Sequence, residues 1–360
     1  MSQGQDETGI RVAVIGYGLA GAVFHAPLIA STPGMSVAAI VTSHPERQAR
    51  AQHDFPSARL YETADELWRD AAHYDLAVIA ATNRVHVSLG IAAMRAGLSA
   101  VIDKPIAGNV ADAEQLLRTS RETGKLLTVF QNRRWDNDFL TLRQIISAGL
   151  IGPVTRFESR FERYRATPRP DAWRESAAPE DAGGLLYDLG SHLIDQAMVL
   201  FGKPTHVYAE VETRRPGALV DDDTFVALRF ATGVRAHLWM SAIARTPAPR
   251  LLVRGLTGTY TKYGLDPQED ALSQGLRPGD RIWGLEPRER WGHLSTDVQG
   301  VHIDGAVETL PGAYEQFYAG VRDALTGGTP PPVDPADSVA VLGIIEAAFQ
   351  SARVGGVVAL

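Results

Sequence analysis

Hydrophobic positions along this chain change rhythm near residue 130. Before that point, short apolar runs recur at helix-length intervals: RVAVIG (11–16), SVAAIV (36–41), DLAVIA (75–80), SAVI (99–102) and LLTVF (126–130). Each is apolar almost throughout and often β-branched, the pattern of a strand buried on both faces. Stretches such as NRVHVSLGIAAMRAG (83–97), long enough for a helix, separate them. Strand–helix alternation of this kind predicts a parallel sheet wrapped by helices.

Longer alternating strands follow: PVTRFESRFER (153–163), HVYAEVET (206–213), TFVALRFATGVRAHLWMSA (224–242) and RLLVRGLTGTYTKYG (250–264). ATGVR and LTGTY break the last two as tight turns, so these segments predict hairpins and an antiparallel sheet. Between the first two strands, GGLLYDLGSHLIDQA (183–197) has the periodicity of one helix of roughly 14 residues. PADSVAVLGIIEAAFQSARVG (335–355) predicts a closing amphipathic helix, and the polar, irregular stretch 264–300 predicts a long excursion. No internal repeat or low-complexity tract interrupts the order. The expected division is a dinucleotide-binding unit over residues 10–130 and a second α/β unit over 131–360, since 360 residues exceed one ordinary core.

Composition narrows the function classes. No apolar run approaches the roughly 18 to 20 residues that cross a bilayer. The first ten residues, MSQGQDETGI, lack an apolar signal core. Both point to a cytoplasmic protein without a membrane partner. The chain has no cysteine, which excludes disulfides, thiolate metal sites and cysteine nucleophiles. A net charge of −7 without a Lys/Arg block argues against nucleic acid.

VAVIGYGLAG places Gly16, Gly18 and Gly21 at G-x-G-x-x-G spacing directly after the first strand. The first glycine permits the turn, the second lets a pyrophosphate approach, and the third lets helix and strand pack closely. In this context the motif predicts a dinucleotide site; read by itself it is only a tight turn. NAD enzymes place an acid about 20 residues beyond the glycines, on the ribose. Here the second strand ends in Thr42–Ser43–His44, with Arg47 one turn later. Without the carboxylate, Ser43 and Arg47 suit a 2′-phosphate, so NADP is expected ahead of NAD. The alternative leaves Arg47 as a solvated helix residue.

VIDKPIAG ends the fifth strand with Asp103–Lys104–Pro105, and ligands of open α/β sheets gather at such strand ends. A lysine there would polarise a substrate hydroxyl; the alternative is a strand-end lysine in solvent. In the 183–197 helix, Asp188 and His192 fall one turn apart. A carboxylate beside the imidazole would orient it and raise its pKa, preparing it to take a proton. Asp195 would lie on the same side. Such pairs also occur as surface or capping features, and two ligands without a third make a poor metal site, so no metal is expected.

GYGLAGAVFHAP, DKPIA, QNRRWDNDF, GGLLYDLGSHLIDQA and GLDPQEDALSQGLRPGD together resemble the glucose–fructose oxidoreductase, inositol dehydrogenase and rhizopine-catabolism family. The likeness runs from Ile10 to Leu360 and is nearest to the scyllo-inositol dehydrogenase branch. It implies a Rossmann domain, then an α/β domain with a large, mostly antiparallel, open-faced sheet. Through that sheet a homodimer or homotetramer is expected. The family's catalytic lysine, aspartate and histidine match Lys104, Asp188 and His192, although Asp103 stands where the family's motif has glutamate. His192 would be the proton acceptor in oxidation and the donor in reduction.

By the same resemblance Tyr17, Leu19, Ala20, Thr82, Asn83, His86, Asp103, Arg133 and Trp135 join the cofactor cleft, with Arg134 in the crossover beside them. Phe24 and His25 would reach the nicotinamide half. For His25 and His86 a ring satisfied by a backbone carbonyl is the competing reading. Trp135 and Trp173 would wall a sugar or inositol ring, or else form interface core. Arg163, Tyr164, Arg165, Arg169 and Arg174 would offer donors to hydroxyls or an anion, or else form a solvated loop. The expected activity is oxidation or reduction of a secondary hydroxyl or carbonyl on a cyclic polyol or sugar, scyllo-inositol or inosose above all. Two alternatives remain: a nucleotide-binding redox regulator, which needs neither Lys104 nor His192, and an enzyme that shuttles hydride between two sugars on a retained cofactor.

Overall fold

Two sheets organise the chain in the computed structural model, which describes residues 9–169, Glu175, Ala178 and 181–360. The first holds β1 (Ile10–Ile15), β2 (Met35–Val41), β3 (Arg59–Tyr61), β4 (Leu76–Ile79), β5 (Ser99–Asp103) and β6 (Leu127–Phe130). All its pairings are parallel and its order is β3-β2-β1-β4-β5-β6. This is the doubly wound Rossmann arrangement, with its strand order reversing between β1 and β4. Val12, Ala13, Val14, Val78, Val101 and Val129 are fully buried, as strands covered on both faces require. The short β3 lies outside the five apolar runs, because three residues are too few to show a period.

The second sheet has nine strands: β7 (Val154–Glu162), β8 (Pro204–Glu212), β9 (Asp223–Phe230), β10 (Arg235–Ser241), β11 (Leu251–Gly255), β12 (Gly258–Lys262), β13 (Gly292–Val298), β14 (Val301–Val307) and β15 (Val358–Ala359). Their order is β14-β13-β12-β11-β7-β10-β9-β8-β15. Every pairing is antiparallel except β7 with β10. Both expected turns close hairpins, β9–β10 and β11–β12. The stretch 264–300 is less irregular than its composition suggests: it contains a helix, Gln268–Ser273, and supplies β13. β14 escapes a pattern reading because its residues are mostly exposed and carry no apolar alternation.

Alternation fixes the two faces of this sheet. Along β9, Thr224, Val226, Leu228 and Phe230 are buried while Phe225, Ala227 and Arg229 point the other way. The buried face lies under the helices Ser191–Phe201 and Pro335–Val354, whose residues share one core with it. The opposite face carries half-buried aromatics: Phe225 lies 5.1 Å from Trp239 and 5.8 Å from His237, and the Arg160 guanidinium sits 3.9 Å over Trp239.

The chain's late segments return to the first sheet. Tyr318, Phe317 and Val321, on the helix Glu315–Gly327, pack into one cluster with Phe130 and β1. The Thr128 hydroxyl donates to the Val333 carbonyl at 2.7 Å. At the crossover Arg134 binds Asp195 through two nitrogens at 2.6 and 2.8 Å, and Asp337 at 3.0 Å. Asp195 is thus tied to the crossover.

Candidate active site

Strand ends of the first sheet and a face of the second converge on one cavity of about 300 Å³. On the first side, β1 gives way to the glycine loop. Gly16 has φ +97°, and a Cβ there would sit 2.6 Å from the Ala80 carbonyl oxygen; at Gly21 a Cβ would sit 2.0 Å from the Gly16 oxygen. Backbone packing therefore requires both glycines. Gly18 differs: a Cβ there would meet only the Arg47 guanidinium, at 3.7 Å. The loop is open at the position where a pyrophosphate must approach, so these residues fit a dinucleotide. Ser43 and Arg47 are exposed at the end of β2 and on the helix Pro45–Asp54.

The helix after the loop opens as a π turn, Ala20–His25, and continues as α, Ala26–Ala30. Leu19, Ala20, Phe24 and His25 line the cavity. His25 is fully buried, shares a 2.6 Å hydrogen bond with the Tyr318 hydroxyl, and is pushed down to about 4 chiefly by burial. Other residues assigned to the cofactor by resemblance have protein partners. Tyr17 is buried and donates to Asp54 at 2.9 Å. Asn83 donates to the Asp181 carbonyl, while His86 meets the carbonyls of Pro105 and Ala81 at 2.8 and 3.2 Å, the backbone-satisfied alternative. Thr82 is half-buried just before the short turn Asn83–Val85.

Asp103 and Lys104, at the end of β5, form the cavity floor with Phe130, Asn132 and Arg133. Lys104 Nζ donates to Asp188 Oδ1 at 2.8 Å and to the Asp188 carbonyl at 2.6 Å. Arg133 is held by Asp136 at 3.3 Å and by Glu269 at 3.0 Å, and Glu269 also faces the cavity. Trp135 does not line this cavity. It packs edge-on against Phe317 at 5.8 Å, and its carbonyl accepts from Gln268 and Ala313.

The second domain contributes Asp188, Leu189 and His192. The helix start is anchored by Asp221, whose carboxylate accepts from the Leu186 N–H at 2.8 Å; Gly184, at φ +96°, leaves the room that this carboxylate fills. Leu186–Gly190 is a π turn, and the α-helix begins at Ser191. Across this turn Asp188 and His192 both face the cavity. Asp188 binds Lys104, and His192 Nδ1 is buried without a hydrogen-bond partner. The expected rise in the His192 pKa is reversed. Burial pushes it well below the usual histidine range, and Lys104, Arg133 and Arg250 push the same way. The imidazole is neutral at pH 7, the form that can accept a proton.

β7 and the segment that follows it supply the remaining wall. Phe161, Arg163 and Arg165 line the cavity at alternate positions, with Arg169 beyond. Tyr164 points to the other face, bridges to Ile243 and lies 3.9 Å beneath the Arg245 guanidinium. Trp173 and Arg174 lie outside the described residues. Phe161, Asn132, Glu269 and Tyr318 were not singled out from sequence; only Phe161 carried a usable signal, its parity with Arg163 and Arg165. Among the described residues no group of three or more His, Cys, Asp or Glu converges as a metal site, and no helix is long and apolar enough to cross a membrane.

Comparison with known proteins adds an independent line. A family model described as an oxidoreductase family, NAD-binding Rossmann fold, matches residues 10–131, and its companion, the C-terminal alpha/beta domain, matches residues 143–360. The oxidoreductase YdgJ of Escherichia coli is 39% identical over 96% of both chains. The scyllo-inositol 2-dehydrogenase (NADP(+)) IolW of Bacillus subtilis is 36% identical over 96% of this chain and 94% of its own. Among solved structures, the oxidoreductase YvaA of Bacillus subtilis superposes with a TM-score of 0.93 at 33% identity, covering 99% of this chain and 100% of that one. YPO2259 of Yersinia pestis gives 0.90 at 36% identity, covering 98% of each.

Proposed function

This chain belongs to the glucose–fructose oxidoreductase, inositol dehydrogenase and rhizopine-catabolism (Gfo/Idh/MocA) family and is an NAD(P)-dependent dehydrogenase, and from that premise we propose that it interconverts a secondary hydroxyl and a carbonyl on a cyclic polyol or related sugar through Lys104, Asp188 and His192. One observation carries the assignment of residues: these three side chains, from two domains, line a single cavity at the carboxyl ends of the first sheet's strands.

In oxidation the substrate carbon gives up its hydrogen with the bonding pair, the hydroxyl proton passes to His192, and the C–O bond becomes a carbonyl. The bound nicotinamide supplies the hydride acceptor. Lys104 donates a hydrogen bond to the reacting oxygen and stabilises the negative charge that builds there. Asp188 fixes the ammonium for that task. A neutral, buried His192 suits proton acceptance without prior deprotonation. In reduction the same groups act in reverse.

NADP is the proposed cofactor. Support comes from Arg47 beside Gly18, from the absence of an acid at Thr42–Ser43–His44, and from the cofactor printed in the name of the Bacillus relative. That relative's name also supports scyllo-inositol or an inosose as the substrate type. We place the enzyme in the cytoplasm, as a homodimer or homotetramer joined through the open face of the second sheet. Initial rates for inositol isomers and aldoses, each with its phosphorylated and carboxylated counterparts, against NAD⁺ and NADP⁺ test the reading. Turnover of at least one polyol, faster with NADP⁺, is expected; tight NADPH binding with no turnover across the panel would restore the regulator.

A further inference from the structure

The strand carrying Arg163 and Arg165 runs on past the end of β7. The Arg163 N–H donates to the Ser241 carbonyl at 2.9 Å and the Arg165 N–H to the Ala242 carbonyl at 2.7 Å, so extended pairing continues beyond Glu162. Extended backbone sends every second side chain to one face. Phe161, Arg163 and Arg165 therefore point together into the cavity that also holds Lys104 and His192. Arg169 joins them, and a smaller recess of about 110 Å³ shares all three arginines and Asp188.

Among the described residues, the acids around these arginines already have partners, Asp221 in the Leu186 N–H at 2.8 Å. Asp188 is bound by Lys104 at 2.8 Å, Glu269 by Arg133 at 3.0 Å, and Glu175 by Arg215 at 3.3 Å; Asp103 accepts from the Lys104 backbone N–H. Among the described residues, Arg163, Arg165 and Arg169 form no ion pair, and Arg163 Nε is buried without a partner. Their mutual repulsion registers at Arg165, whose pKa is lowered first by burial and then by Arg163 and Arg169. A neutral polyol would accept hydrogen bonds here and leave the charge standing. A carboxylate or phosphate would cancel it and match the guanidinium fork.

We propose that the substrate is an anionic sugar or polyol, its carboxylate or phosphate held by Arg163, Arg165 and Arg169 while a secondary hydroxyl reacts at Lys104 and His192. The inference rests on the hydride-transfer reading above and leaves its balance unchanged: hydride to oxidised nicotinamide, proton to His192, hydroxyl to carbonyl.

Matched pairs test it: glucose against glucuronate and glucose 6-phosphate, and myo-inositol against its 1-phosphate. Each is measured by calorimetric binding to the cofactor-free protein and by initial rates with NADP⁺. At least one anionic member should bind tenfold or more tightly than its neutral partner, and the preference should shrink with added salt. Arg165→Met should reduce that ratio at least tenfold, with Arg165→Lys between; glucuronate and glucose 6-phosphate distinguish carboxylate from phosphate. If Arg165→Met does not fold, the salt titration of the unaltered protein gives the same readout. The inference is overturned if no anionic member outbinds its partner, or if the preference survives Arg165→Met. Anion binding without cofactor reduction upholds the arginine site and defeats the polyol dehydrogenase reading; turnover of neutral polyols without charge preference does the reverse.

Discussion

Lys104 and Asp188 meet across the two domains: Nζ lies 2.8 Å from the Asp188 carboxylate and 2.6 Å from its carbonyl oxygen. Side-chain exposure of only 13% and 18% keeps solvent from screening the pair strongly. One contact thus joins the end of β5 to the first turn of the second domain's helix.

If Asp188 works by holding Lys104, the two residues act as one unit and their losses do not add. Lys104→Met should lower kcat ~100-fold or more, in line with removal of a donor to developing charge. Asp188→Asn should cost less. In the Asp188→Asn background, Lys104→Met should cost at least ~1 kcal/mol less than it does alone. Steady-state kinetics on the four proteins checks this, and additive losses would separate the two roles.

His192 makes a signed prediction about pH. Its pKa is lowered well below the usual value by burial and neighbouring cations. The neutral form that oxidation needs therefore survives as pH falls through about 6.5, the ordinary histidine pKa. The acid limb of kcat/KM for oxidation should lie below that pH. Reduction needs the protonated form, so its kcat/KM should keep rising as pH falls through the same range. His192→Ala should cost ~100-fold or more in kcat with cofactor affinity kept. An acid limb for oxidation at or above the ordinary pKa would defeat the proton-acceptor role.

Arg47 projects toward Gly18 from an exposed helix that is not built around it. Arg47→Ala should weaken NADP⁺ binding about 10-fold or more, the scale of one charge-assisted contact, and leave NAD⁺ binding within twofold. Fluorescence titration with both nucleotides measures the ratio; equal weakening of the two would remove the 2′-phosphate argument.

What the sequence displayed was local. Apolar runs, the spacing Gly16–Gly18–Gly21 and hairpin turns are encoded within a few residues, so five strands of the first sheet, the two hairpins of the second and the glycine loop could be read directly. The strand was read only to residue 163, so Tyr164 stayed grouped with Arg163 and Arg165 although it faces the other way. What could not be read depends on distant partners. Asp188 turns to a lysine 84 positions away, Arg134 meets Asp195 across 61, and Tyr318 reaches His25 across 293. The π turn over Leu186–Gly190 belongs to this class as well, since Gly190 packs against Met240 of the underlying sheet. Helical spacing put Asp188 and His192 on one face but could not show the lysine that Asp188 binds.

Asp195 is a structural counterpart to the candidate site, and its variant should behave differently. It is 2% exposed and holds Arg134 at the crossover between domains. Asp195→Ala leaves a largely buried guanidinium with only Asp337, at 3.0 Å, and removing one partner of such a pair costs roughly 3 kcal/mol. The denaturation midpoint should fall accordingly, while kcat per folded molecule stays within a few-fold. A loss of kcat matching that of His192→Ala, without loss of stability, would return Asp195 to the chemistry.

The open face of the second sheet can be tested through Trp239. Within one chain its ring is half-buried, stacked under Arg160 and 5.1 Å from Phe225. Tyr208 and His237 extend the same patch, and Glu158 holds Arg160 in place at 2.8 Å. A carboxylate introduced here has access to water in a lone chain and costs little. Pressed against a second copy it would be buried opposite its own symmetry mate, at a cost of several kcal/mol. Trp239→Glu should therefore reduce the sedimenting mass to that of one chain while far-UV circular dichroism keeps its native form. An unchanged assembly in the variant, or a monomer before substitution, would show that subunits do not join through this face.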